Sequence, residues 1–263
     1  MKNELDKNQI IKLSKEASID LKIEVVESTN STNSELRFLL NNNTRPTLLV
    51  AKTQKNGRGR GKKKWFSDKK TGVCFSLAWP FLNNKKNLLG LPIVISVSVA
   101  KYLQNYNSKI GLKWPNDLLV DGKKLSGILT ETFYSKNMNG FPTIWAIIGV
   151  GINLYPNSNR DLFVEKPTAF LTIKEININN LLAKLSDNLI TDLKKFETDG
   201  LHSFIKIWDT MDIYKGKSIK IMENKKEIYR GTSLGINEFG ELILKKNNEK
   251  KTINIGDVSL ISQ

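Results

Sequence analysis

Apolar residues along this chain fall into runs whose period changes from segment to segment, and the period predicts the elements. Leu5, Ile10, Leu13 and Ala17 keep helical spacing, which predicts a short leading helix within residues 1–17. Leu21, Ile23 and Val25 alternate as a strand. Ser31-Thr32-Asn33 then offers an N-cap for a helix carrying Leu36, Phe38 and Leu40. Residues 47–53 form an apolar strand that runs straight into a basic, glycine-rich stretch. Val73, Phe75, Leu77 and Trp79 alternate again, with Pro80 expected to close the strand. The span from Leu88 to Tyr106 is too long and too apolar for a strand and reads as a buried helix.

Residues 113–120 lead into Asp121-Gly122, a type I′ hairpin signal, so residues 124–134 are expected to return as the partner strand. Thr143 to Leu154 is an almost continuous apolar strand ending in Gly149-Val150-Gly151-Ile152-Asn153. Leu182, Leu185, Leu189, Leu193 and Phe196 mark one face of a helix, and residues 201–208 read as a second, amphipathic one. From Ile213 the pattern shortens. Strands over 217–222, 227–236, 240–245 and 252–255, separated by Gly, Asn and Lys turns, predict a small β-barrel. The expected division is therefore a main domain over residues 1–212 and a small β domain over 213–263, which 263 residues can support.

Composition narrows the class. Hydrophobic residues are 40% and charged residues 25%, ordinary values for a globular protein. No run reaches the 18 or so apolar residues of a membrane span, and MKNELDKNQI lacks the apolar stretch of a signal peptide. Cys74 is the sole cysteine, so no intrachain disulfide can form, and a reducing, cytoplasmic setting is expected. His202 is the sole histidine and falls in the predicted amphipathic helix. With one His and one Cys, a zinc site and a Ser-His-Asp triad are both poorly supported.

Charge is unevenly placed. The formal charge is +15, and residues 52–70 hold nine basic side chains against Asp68 alone. Such a concentration draws nucleotides, nucleic acid or acidic proteins by its field. Lys245, Lys246, Lys250 and Lys251 read instead as a solvated face. Within the basic stretch, Lys55 to Trp65 alternates Gly57, Gly59 and Gly61 with Arg58 and Arg60. Glycine allows the backbone positive φ, guanidinium forks suit carboxylate or phosphate, and exposed backbone N–H groups add further anion donors. The spacing excludes the commoner phosphate loops. Gly57 and Gly61 are one residue too close for a P-loop, and no Ser or Thr follows Lys62. The third glycine also arrives one position early for a dinucleotide fingerprint. The loop is expected to hold an acidic, phosphorylated small molecule.

A second pattern is Lys113-Trp114-Pro115-Asn116-Asp117, answered across the hairpin by Lys124-Leu125-Ser126-Gly127-Ile128-Leu129. Pro115 holds Trp114 extended and removes a ladder donor, as at a strand end facing a cleft. Asn116 and Asp117 are then available for ligand or metal work, and the returning strand brings Lys124 to the same place.

Gly-Arg-Gly-Arg before Lys-Trp-Phe-Ser, then Lys-Trp-Pro-Asn-Asp, Lys-Leu-Ser-Gly-Ile-Leu and Gly-Val-Gly-Ile-Asn in that order, resembles the biotin–protein ligases. The likeness covers most of residues 21–263. It implies an α/β (α+β) core of the class II aminoacyl-tRNA synthetase kind, a mixed sheet flanked by helices, followed by an SH3-like β-barrel. It also implies a reaction. Biotin and MgATP form biotinyl-5′-AMP, and a lysine of the biotin carboxyl carrier protein of acetyl-CoA carboxylase takes the biotinyl group.

Carried onto this sequence, Ser31, Thr32, Asn33, Gln54, Arg58, Gly59, Arg60 and Lys124 are implied to bind biotin. Gly57, Arg60, Lys63, Trp65, Asn116, Lys124 and Asn153 are implied to bind ATP and the adenylate. Arg58, Arg60 and Lys124 are the implied catalytic set, and Asp117 is a candidate for Mg²⁺. Ser28-Thr29-Asn30 duplicates the Ser-Thr-Asn motif and leaves the register open, with the second copy preferred because its distance to the arginine loop needs no gap. Gly61-Lys62-Lys63 departs from the Arg-Gly-Arg usual at that point, and Lys63 supplies charge without a bidentate fork. About twenty residues precede the first core strand, too few for the winged helix of the bifunctional members, so sequence-specific DNA binding is not expected. Neither is a membrane; the family includes both monomers and homodimers. The rivals are a lipoate–protein ligase, which shares the core, and a nucleic-acid-binding module using residues 52–70.

Overall fold

The chain is described by a computed structural model over residues 4–15, 21–40, 45–67, 71–81, 88–136, 142–156, 167–171, 176–223 and 226–261. A seven-stranded mixed sheet organises the first part. Its strands are β1 (Lys22–Thr29), β2 (Thr47–Gln54), β3 (Gly72–Phe81), β4 (Gly111–Lys113), β5 (Asp117–Val120), β6 (Lys123–Lys136) and β7 (Pro142–Asn153). Their order is β1-β2-β3-β7-β6-β5-β4, with β1 and β2 parallel and the other pairs antiparallel. The α/β mixed sheet with flanking helices is as the resemblance implies.

The two faces of the sheet differ because β3 and β7 alternate two kinds of residue. Val73, Phe75 and Leu77 of β3, with Ile148, Val150 and Ile152 of β7, belong to the main core under the helices α3 (Leu91–Leu103) and α4 (Ile178–Asp199). Cys74 and Ser76 of β3, with Gly149 and Gly151 of β7, have the intervening parity and are small. One face is thus filled by helices, and the other keeps a shallow floor on which chemistry can be set. At the far end of that floor α2 (Thr32–Leu39) closes over Leu49, Ala78, Trp145 and Ile147 through Leu36 and Leu40.

Helix α3 is apolar nearly all round and buried nearly all round, as such a helix must be. It packs on α4 and on α5 (His202–Met211), while α1 (Lys7–Leu13) leans on α4 and β1. Leu182, Leu185, Leu189, Leu193 and Phe196 of α4 are all buried, and His202 is exposed, a surface residue as expected.

Several expectations change. The leading helix covers Lys7–Leu13 only, and Ala17 lies outside the described residues. Ser31 is the N-cap of α2 by position but makes no side-chain cap bond, and Phe38 is 71% exposed on the outer face of that helix. Pro80 does not end β3, which runs on to Phe81. Residues 113–120 are two strands rather than one. β4 and β5 pair antiparallel around a turn at Trp114-Pro115-Asn116, whose Trp114–Pro115 bond is cis. Asp121 and Gly122 take φ of 48° and 75°, as a type I′ turn requires.

The C-terminal part is a five-stranded antiparallel sheet in the order β11-β10-β9-β8-β12, the SH3-like β domain. Its strands are β8 (Ser218–Glu223), β9 (Lys226–Ile236), β10 (Leu242–Lys246), β11 (Glu249–Ile253) and β12 (Asp257–Leu260). The sequence pattern does not predict β12, and β11 starts at Glu249, ahead of the expected residue 252. Trp114 ties this sheet to the core: its indole is buried and its Nε1–H donates to Gly240 O at 3.0 Å. Among the described residues, no helix is long and apolar enough to cross a membrane.

The link between the two sheets carries a pH prediction. Asp212 caps the end of α5, and burial pushes its carboxyl above the ordinary range, with Asp209 nearby adding to the push. The folded state therefore keeps the proton to higher pH than the unfolded chain does, where a carboxyl titrates near pH 4. Stability is lost as pH rises from that value through the raised folded one. Asp212→Asn keeps an acceptor for Tyr214 N, now 2.9 Å from Asp212 Oδ1, and removes the buried charge. It is expected to raise Tm at pH 7 by a few degrees and to give no gain below pH 4. Melting curves at the two pH values check this; a gain of equal size at both would contradict it.

Candidate active site

The basic loop is a pinched ribbon that β2 and β3 hold over the floor. Gln54 pairs with Ser67 and Arg58 with Lys64, while Trp65 N donates to Gly57 O at 2.9 Å and Gly59 N to Lys63 O at 2.7 Å. The tip is a 3-10 turn, Arg60–Lys62, in which only Gly61 has positive φ, 59°. Gly59 is extended, and Gly57 is needed because a Cβ there would collide with the Trp65 carbonyl. The sequence expectation is corrected on two points. One glycine, not three, supplies the left-handed turn, and the N–H groups of Gly59, Lys63 and Trp65 close the ribbon instead of facing an anion. The anion donors of the loop are its side chains. Lys69 and Lys70 lie outside the described residues.

Below the ribbon, Trp65 lies on the glycine floor. Gly127 of β6 pairs with Gly151 of β7, and a Cβ at Gly151 would overlap the indole, while one at Gly127 would stand 3.0 Å from it. Lys124 reaches the same place because β6 carries a bulge. Leu119 opposes Lys124 and Leu118 opposes Ser126, so Leu125 is the extra residue. The bulge turns Lys124 onto the face of Gly127, where its Nζ stands 5.6 Å from the Trp65 ring centre. Its ammonium pairs with Asp117 Oδ1 at 2.6 Å, and Lys113 Nζ lies 3.9 Å from Asp117 Oδ2. Asn153, 1% exposed, donates from Nδ2 to Lys124 O at 3.0 Å, so it fixes the backbone that carries the lysine.

Arg60 Nη1 stands 3.5 Å from Asn116 Oδ1 and 4.0 Å from Asp257 Oδ1, both at the limit of direct bonding. Asn116 is itself buried and bonded through Nδ2 to Ile128 O. Lys63 pairs with Asp257 at the start of β12, so the C-terminal sheet reaches the loop. Arg60, Lys124, Asn116 and Trp65 are thus brought together at one end of the floor.

At the other end, the second Ser-Thr-Asn copy faces inward. Ser31, Thr32 and Asn33 are 3–5% exposed, whereas Ser28 and Asn30 are exposed. Gln54 Oε1 accepts from Thr32 N at 2.8 Å, and the Ser76 hydroxyl lies 2.6 Å from both Thr32 Oγ1 and Asn33 Oδ1. Asn33 Nδ2 donates to Glu131 Oε2 at 2.7 Å and to Leu129 O at 3.3 Å. Gly149 leaves the room for this amide, since a Cβ there would overlap Asn33 Oδ1. Arg58 Nη2 reaches Ser34 Oγ at 3.0 Å and Glu131 Oε2 at 3.2 Å.

Sequence reasoning missed Ser76, Glu131 and Asp257. Ser76 could have been found from its parity, opposite to Phe75 and Leu77 in an otherwise bulky strand. Glu131 and Asp257 carry no such signal, because a bulge and an overlooked strand place them.

Asp117, the sequence candidate for Mg²⁺, is paired with Lys124 and Lys113. Among the described residues, no group of three or more His, Cys, Asp or Glu could hold a metal ion.

Comparison with known proteins gives the family. Residues 23–153 match the Biotin/lipoate A/B protein ligase family, and residues 215–261 the Biotin protein ligase C terminal domain. The Escherichia coli bifunctional ligase/repressor BirA is 30% identical over 245 residues, 91% of this chain and 74% of that protein.

This chain belongs to the biotin protein ligase family.

The biotin–[acetyl-CoA-carboxylase] ligase of Mycobacterium tuberculosis is also 30% identical, over half of this chain and 49% of its own length. Among solved structures, the ligase from Aquifex aeolicus in complex with biotin and ATP is 28% identical, with a TM-score of 0.74. That alignment covers 92% of this chain and 99% of the Aquifex one. The small-residue face of the mixed sheet, under the arginine loop, is the candidate site.

Proposed function

We propose that this ligase activates biotin with ATP to biotinyl-5′-AMP and transfers the biotinyl group to a lysine of a biotin carboxyl carrier protein. The observation that carries the reading is the meeting of Arg60, Lys124 and Asn116 beside Trp65 on the glycine floor. A biotin carboxylate and an α-phosphate repel one another, and two cations at their junction offset that repulsion and the charge that develops on transfer. In the first step a carboxylate oxygen attacks the α-phosphorus and the bond to pyrophosphate breaks. In the second the acceptor amine attacks the acyl carbon and AMP leaves. Neither step asks for an enzyme nucleophile.

Each residue then has a part. Thr32, Asn33, Gln54 and Ser31 line the end that takes the biotin rings, and Ser76 sets the orientation of Thr32 and Asn33. Gly57 and Gly59 shape the ribbon, and Trp65 supplies an aromatic face for the adenine. Lys124, aimed by Asp117, reaches the reacting carboxyl. Asn153 acts through the Lys124 backbone, and Asn116 through the Arg60 guanidinium. Lys63 adds charge on the phosphate side from its place beside Asp257. The ribbon over the floor keeps water from the mixed anhydride.

Residues 1–212 form the catalytic unit and 213–263 the C-terminal one, a division supported by the two separate sheets. The reducing cytoplasm suits a chain whose one cysteine, Cys74, is a buried thiol. The test is incubation with labelled biotin, ATP and a carrier domain. Label is expected on one carrier lysine, and labelled lipoate is expected to stay in solution. Transfer of lipoate in preference to biotin would overturn the reading.

A further inference from the structure

Glu131 lies outside every motif of the sequence, yet one of its oxygens joins two parts of the site. Oε2 accepts from Asn33 Nδ2 at 2.7 Å and pairs with Arg58 Nη2 at 3.2 Å. Arg58 meets Ser34 on α2 with the same nitrogen. Its guanidinium is therefore turned toward the sheet and α2, at the end of the floor away from Lys124 and Asn116. The two arginines of the loop differ in this. Arg58 has short bonds to fixed elements, whereas Arg60, two residues on, has only long contacts among the described residues, at 3.5 and 4.0 Å.

We propose that Glu131 is a positioning residue that fastens the loop to the sheet through Arg58 and fixes the Asn33 amide. On this view Arg58 holds the ribbon in place and Arg60 meets the anion. The inference rests on the biotin ligase reading for its kinetic consequences, but the fastening itself belongs to the ligand-free protein. A pair of this exposure, with side chains 45% and 32% exposed, would contribute little in isolation. Here the same oxygen also receives a donor from Asn33, which is 3% exposed, so removing it disturbs a buried amide as well. A loop ordered before the ligand arrives costs less to close over it. Its loss is therefore expected to appear in biotin binding rather than in the chemical step.

Glu131→Gln keeps an acceptor for Asn33 and removes the charge that Arg58 faces; Glu131→Ala removes both. The first measurement is tryptic cleavage in the loop, after Arg58 to Lys64, in the protein without ligands. Both variants, and Arg58→Ala at its remaining sites, are expected to be nicked about threefold or more faster than wild type, with unchanged far-UV circular dichroism. The second is biotin-dependent ATP–pyrophosphate exchange. KM for biotin is expected to rise about threefold in Glu131→Gln and about tenfold in Glu131→Ala, with kcat within twofold. The double variant Glu131→Ala, Arg58→Ala should be no worse than the poorer single one.

Wild-type nicking rates in both Glu131 variants would overturn the proposal. So would a fall in kcat at unchanged KM, which would put Arg58 in the chemistry. Faster nicking in a protein whose wild type shows no biotin-dependent exchange would support the fastening while defeating the ligase reading.

Discussion

Arg60→Ala is expected to lower kcat for adenylate formation by about 100- to 1,000-fold, the usual cost of removing a donor aimed at developing charge. The reason is geometric. Arg60 extends from the tip of the ribbon to the end of the floor where Lys124 and Asn116 converge, and among the described residues no short bond holds it elsewhere. Its charge is therefore available when carboxylate and phosphate are brought together. Arg60→Lys should recover only part of the rate, because an ammonium cannot offer the planar fork. KM for biotin should move much less than kcat, since an interaction made mainly in the transition state leaves ground-state binding nearly intact. Pre-steady-state formation of the adenylate, followed by quenching and separation, measures the step directly. A variant with wild-type adenylation rates would remove Arg60 from the mechanism.

Gly149→Ala is expected to do more harm than its single methyl group suggests. The added Cβ would fall on Asn33 Oδ1, and that amide has nowhere to go. Ser76 holds one side of it and Glu131 with Leu129 O the other. Either the amide leaves its bonds or β7 shifts against β3, and overpacking of this kind costs about 1–3 kcal/mol. The expected result is a fall of tenfold or more in biotin affinity by calorimetry, with a Tm lower by several degrees. Gly151→Ala makes a useful contrast. Its Cβ would meet the Trp65 ring, which sits on a loop and can swing away, so nucleotide binding should suffer while stability changes little. An unchanged biotin affinity in Gly149→Ala would show that the amide does not form part of the pocket.

Much of this site was legible in the sequence because its signals are local. Asp121-Gly122 fixes a hairpin whatever surrounds it, and Arg58 to Trp65 sits between two strands whose alternation is clear. The duplicated Ser-Thr-Asn was ambiguous for a physical reason: both copies lie near the β1–α2 junction, and only three-dimensional burial shows which faces inward. Glu131 was illegible because strand parity sets it on the face opposite Lys124, seven residues earlier. The bulge at Leu125 reverses that parity, and bulges leave little trace in hydrophobic pattern. The fifth strand of the C-terminal sheet, Asp257–Leu260, buries Val258 alone, so it leaves no alternating apolar signal and the carboxylate facing Lys63 and Arg60 is not flagged by the pattern. The loop glycines misled in the other direction. A Gly-rich bend suggests a cradle of backbone donors, but three of those N–H groups hold the ribbon together.

The central claim is that the arginine loop and Lys124 join a biotin carboxylate to the α-phosphate of ATP. The most direct measurement is exchange of labelled pyrophosphate into ATP by the purified protein, with and without biotin. Exchange that requires biotin, fails with lipoate and is nearly lost in Arg60→Ala is the predicted result. Exchange that ignores biotin, or that lipoate supports equally well, would contradict it.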